Sequence, residues 1–162
     1  MKLSKTAWNN VIIFSVMIII LIINTTNNRL FPETDTNDEL ILPEHSVILT
    51  LSIAFPNNTS VVFERVARAW KTNSQGVLVD LTNQQIDQMM FAWQQGSGLM
   101  QASDIVIEGQ ESIEISIGIA GVEQEQLFRL YPLVEQLLVY NQQKKIWLAL
   151  PATMKHQLIP LF

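Results

Sequence analysis

Cysteine is absent from all 162 residues, which excludes a disulfide framework and any thiolate metal site. Histidine is almost as scarce. His45 and His156 stand far apart, neither inside an H-E-x-x-H spacing, so the sequence offers no zinc site. Two histidines and no G-x-S-x-G also leave little for nucleophilic catalysis. Cations are few: ten Lys and Arg against fifteen Asp and Glu give a formal charge of −5 with no basic stripe, which excludes a phosphate-tracking nucleic-acid binder. Glycine is limited to six, and Gly96-Ser97-Gly98 follows a helix-like stretch instead of opening one, so it is no phosphate cradle. Glu108, Glu111 and Glu114 fall at a turn and on the outward side of a strand, where a solvated edge explains them. These absences predict no catalytic residue, no cofactor, no metal ligand and no enzyme activity.

What the chain does have is one long apolar run, Val11 to Ile23, with a single hydroxyl and no charge. Thirteen helical residues rise only about 20 Å against a bilayer core of about 30 Å. Extension to residues 7–26 brings the span close to sufficient, with Trp8 as an interfacial aromatic. Lys2 and Lys5 would then hold the amino end in the cytoplasm. A cleaved secretory signal is the competing reading, but NTTNNRLF after the run lacks the small residues of a cleavage site. The expected layout is a cytoplasmic tip (1–6), a single-pass transmembrane signal anchor in contact with lipid (7–26), a polar tether (27–45) and a periplasmic domain (46–162). Two prolines and five carboxylates in the tether support its reading as an aperiodic linker.

The spacing after residue 45 predicts an α+β domain with a mainly antiparallel sheet and one principal amphipathic helix. SVILTLSIAF reads as a strand; VVFERVARAWK fits either a helix with Val62, Val66, Ala69 and Trp70 on one side or a long second strand, and the PNNTS turn before it favours the strand. VLVDL reads as a short strand. Thr82 with Gln85 forms a capping-box pattern ahead of Ile86, Met89, Met90 and Trp93, at helical spacing, and Gly96 stands where a left-handed cap is expected. Ser97 to Ser103 reads as a loop and Asp104 to Glu108 as a candidate strand. Ile113, Ile115, Ile117 and Ile119 alternate with small or polar residues, the sharpest strand signal in the chain. Gln126 to Tyr131 runs back, and two strands flank Asn141-Gln142-Gln143-Lys144. A short helix, ATMKHQLI, is predicted after Pro151.

The order of basic residues and Trp70, then a helix with Trp93, then FRLYPLVEQLLVYNQQKKIWLALP resembles a group of small bacterial single-pass membrane proteins of unknown function. Their extracytoplasmic modules run strands, helix, strands. The resemblance covers Val47 to Pro160, rests on spacing, and implies a Gram-negative inner-membrane setting; it carries over no catalytic residue.

Trp70, Trp93, Tyr131, Tyr140 and Trp147 are spaced either to meet in a core or to line a groove for a partner segment. The expectation is a membrane-anchored accessory or assembly protein of a bacterial envelope complex, acting by protein binding. The alternative is a ligand-sensing or small-molecule-binding module, which requires a concave pocket beside Trp93.

Overall fold

The computed structural model describes residues 5–30 and 38–161, with the side chains of 21 and 23–30 excepted. It divides into two units, Met1–Thr36 and Asn37–Phe162. Residues 1–4 of the expected tip and 31–37 of the expected tether lie outside the described residues.

The first unit contains helix α1 (Lys5–Leu30). The apolar side chains from Val11 to Ile20 are exposed, and Ser15 Oγ donates to the Val11 carbonyl at 2.7 Å. Among the described residues, no helix is long and apolar enough to cross a membrane. This corrects the transmembrane signal anchor at 7–26 and, with it, the single-pass inner-membrane placement with a periplasmic domain. The apolar run is only thirteen residues, Ser15 included, and Asn9 and Asn10 precede it directly. The rest of the chain corrects the fold class as well: it is mostly antiparallel sheet with few helices.

The second unit is built on one nine-stranded sheet: β1 (Asp38–Leu40), β2 (Ile48–Ala54), β3 (Ser60–Val66), β4 (Ala69–Gln75), β5 (Ser97–Met100), β6 (Ile113–Ile119), β7 (Gln126–Pro132), β8 (Gln136–Asn141) and β9 (Ile146–Pro151). The order is β1-β5-β9-β8-β7-β6-β2-β3-β4, and every pairing is antiparallel. Helix α2 (Asn83–Gln95) links β4 at one edge to β5 near the other, and α3 (Met154–Leu158) follows β9.

The isoleucine alternation in β6 sets the core. Ile117 lies opposite Leu51 and Ile115 opposite Ile53 on β2, while Leu51 faces Phe63 on β3, so one pleat face is apolar across three strands. Phe128, Leu130, Val139 and Leu148 continue it, and Ile86, Met89, Met90 and Trp93 of α2 close it from above. The capping box is formed: Thr82 N–H donates to Gln85 Oε1 at 2.9 Å, and Gln85 N–H to Thr82 Oγ1 at 3.3 Å.

Several boundaries differ from the sequence reading. VVFERVARAWK is a hairpin, not one strand, because Ala67 takes a positive φ of 54° and turns the chain between β3 and β4. No Gly or Asn marks that turn. VLVDL forms no strand and joins no ladder; Val77, Val79 and Leu81 pack against the core instead. DIVIE likewise forms no strand, whereas Ser97–Met100, read as loop, is β5. Within the stretch read as tether, Asp38–Leu40 forms β1 and the side chains of Ile41 and Leu42 are fully buried. Gly96 is extended, with φ −63° and ψ 134°, not left-handed. Its hydrogen atom is needed for space: a Cβ there would stand 2.6 Å from the Ala92 carbonyl oxygen and 2.8 Å from Ile41 Cδ1.

Candidate functional site

The five aromatic residues singled out in the sequence are divided between the two faces of the sheet. Trp93 is fully buried under α2, its ring 5.8 Å from that of Phe128, and its indole N–H donates to the Leu158 carbonyl at 3.0 Å. It thereby pins the end of α3 to α2 and serves the core. Trp70, on the same side at the outer strand, is tied to α2 twice. Its indole N–H donates to Asp87 Oδ1 at 2.8 Å and its backbone N–H to Asn83 Oδ1 at 3.1 Å. The Arg65 guanidinium lies 5.9 Å from the ring centre, within range of a cation–π contact.

Tyr131, Tyr140 and Trp147 occupy the opposite face. Trp147 touches both tyrosines, with ring centres 5.5 Å from Tyr131 and 4.8 Å from Tyr140. Trp147 and Leu138 are buried there, although neither belongs to the cluster beneath the helices. Connectivity explains the cover. Strands β5 and β6 are four antiparallel steps apart and hence parallel to each other. The preferred right-handed crossover places residues 101–112 over the face away from α2. Ile105 and Ile107 in this strap are half-buried, between exposed Asp104, Val106 and Glu108. Beyond the strap the face carries small and charged side chains, among them Ser52, Ser116 and the exposed Arg129–Glu114 pair at 3.6 Å.

One open concave surface lies on the helical side, between α2 and α3. A groove of about 580 Å³ is lined by the buried or half-buried Met89, Ala92, Met154 and Pro160, which make an apolar floor, and by the exposed Gln85, Gln88, Gln95, Gln157, His156 and Phe91 around them. Phe91 is 62 % exposed. Trp93 does not line this groove. Among the described residues, His156 is the one ionisable side chain that lines it; the others offer apolar contact plus amides that both donate and accept. Among the described residues, no group of three His, Asp or Glu side chains is placed to hold a metal ion.

The sequence reading passed over Phe91 because it lies off the Ile86, Met89, Met90, Trp93 stripe. That offset was itself the available signal, since a large apolar residue on the polar side of an amphipathic helix buries nothing in its own core. Comparison with known protein families, with curated proteins and with solved structures finds no match for this chain. The functional reading therefore rests on this chain's own geometry.

Proposed function

We propose that the Asn37–Phe162 unit is a protein-binding module, an accessory or assembly component that holds a segment of another protein in the groove between α2 and α3. The observation that carries this reading is Phe91, exposed beside an apolar floor with a rim of four neutral amides. Interface centres are depleted in charge and anchored by aromatic side chains seated among contacts that exclude water. Glutamine amides on both sides of the floor suit a partner main chain, whose N–H and C=O groups need partners once covered.

The test compares full-length chains as bait. The native chain and a Val134→Asp control, altered at a site 97 % exposed and remote in sequence from the groove, recover the same partner in equal amount. Phe91→Asp places a charge at the proposed contact and loses it. Undiminished recovery by Phe91→Asp overturns the proposal.

A further inference from the structure

The two edges of the sheet are not alike. One ends on β1, three residues long with two carboxylates, Asp38 and Glu39. The other ends on β4, seven residues without proline or bulge. Short, charged edges resist pairing, whereas a regular one leaves a row of main-chain donors and acceptors open.

Register identifies which groups remain open on β4. The two-residue turn at Ala67-Arg68 makes Val66 and Ala69 a hydrogen-bonded pair, so Ala69, Lys71, Asn73 and Gln75 direct their main-chain groups toward β3. Trp70, Thr72 and Ser74 direct theirs outward. The Trp70 N–H already donates to Asn83 Oδ1, which confirms the direction and closes that position. Among the described residues, no backbone hydrogen bond joins 77–81 to β4. Thr72 and Ser74 are left as one adjacent hydrogen-bonding pair.

We infer that β4 is a self-pairing edge whose occupant is the β4 of a second copy, related by a two-fold axis through Asn73. In that register Thr72 of each copy lies opposite Ser74 of the other, and the four open N–H groups meet the four open carbonyls in four hydrogen bonds. The pairing needs nothing from Trp70. Charge permits it: Lys71 is set opposite the uncharged Gln75 of the other copy, and within its own sheet it stands across from Glu64. Since the same edge meets itself, the contact closes as a dimer and does not propagate. A head-to-tail contact would need the three-residue acidic β1 as acceptor. The inference is independent of the groove reading, because β4 contributes no residue to the groove.

A cysteine-free chain makes the test direct. Asn73 and its symmetry mate form a non-hydrogen-bonded pair with Cβ atoms about 4.5–5.5 Å apart, within reach of a disulfide. Lys71 shares the same face and exposure, but its mate stands four residues along, about 13 Å away. Full-length Asn73→Cys and Lys71→Cys chains are treated with diamide and the covalent dimer is followed on non-reducing gels. The expected result is cross-linking of Asn73→Cys at least about tenfold faster than Lys71→Cys. Adding Thr72→Pro, which removes one outward N–H and no bond of the β3 ladder, abolishes the difference, with circular dichroism confirming the fold. Equal rates for the two cysteines, or coupling of the Asn73→Cys chain to a different protein in place of itself, overturns the inference without touching the groove.

Discussion

Gly96 separates two physical accounts of how α2 ends. If the residue were a left-handed cap, Gly96→Ala would cost about 1 kcal/mol through backbone strain, and Asn, which tolerates that conformation, would be milder than Ala. The observed φ of −63° removes strain from the argument. What remains is space: a Cβ would sit 2.6 Å from the Ala92 carbonyl oxygen and 2.8 Å from Ile41 Cδ1, both inside van der Waals contact. The carbonyl belongs to the backbone and accepts the Gly96 N–H at 2.8 Å, so it cannot retreat without loosening that bond. Ile41 is buried and its N–H donates to the Gly96 carbonyl at 2.9 Å, so β1 and α2 are both held at this point. Overpacking of this kind costs about 1–3 kcal/mol. For a domain of this size, that lowers Tm by roughly 3–15 °C. The assay is thermal unfolding of the full-length chain by circular dichroism with Gly96→Ala, Gly96→Asn and Gly96→Ala combined with Ile41→Val. Asn is expected to be no better than Ala. Ile41→Val removes Cδ1, so the combined variant should lose at least about 0.5 kcal/mol less than the two single losses added together. A Gly96→Asn chain more stable than Gly96→Ala, or a fully additive pair, refutes the steric account.

Four further outcomes follow from single contacts. Thr82→Ala removes the side-chain half of the capping box and should cost about 1 kcal/mol in chemical unfolding, whereas Thr82→Ser keeps the acceptor and should cost much less. Trp93→Phe leaves the buried Leu158 carbonyl without its 3.0 Å donor and opens space beside Phe128; a loss of about 2 kcal/mol is expected, with earlier hydrogen exchange at α3 than in the native chain. Asn141, the one buried polar side chain among the described residues, accepts from Gln143 N–H at 3.0 Å and Lys144 N–H at 2.9 Å. Asn141→Leu should cost about 1–3 kcal/mol by leaving both turn amides unpartnered, measured by urea midpoint. By contrast, Glu114→Gln breaks only an exposed pair and should shift stability by less than about 0.5 kcal/mol.

The parts of this fold legible in the sequence were those in which a local pattern and the tertiary need coincide. The isoleucine alternation of β6 and the capping box of α2 are of this kind: the residues that specify the local geometry also bury the face or satisfy the amides the fold requires. The Ala67 turn was hidden because the strain of a non-glycine at positive φ is offset by a ladder of seven paired positions, which no window of sequence displays. β1 and β5 were hidden for a related reason. Each is at most four residues long, and β5 owes its place to Gly98, where an added Cβ would stand 2.7 Å from Leu150 Cδ1 and 3.0 Å from the Ala149 carbonyl. A glycine needed for close approach looks, in sequence, like a glycine of a loop. The candidate site shows the same division. Aromatic residues mark where packing energy is concentrated, and the fold places Trp70 and Trp93 on the α2 side of the sheet and the other three on the opposite face. Phe91, which buries little of itself, was less conspicuous than any of them, because its meaning depends on α3, a helix distant in the chain, arriving to build the other wall. A surface made by two elements distant in the chain has no local signature; its only trace is a residue that its own helix has no use for.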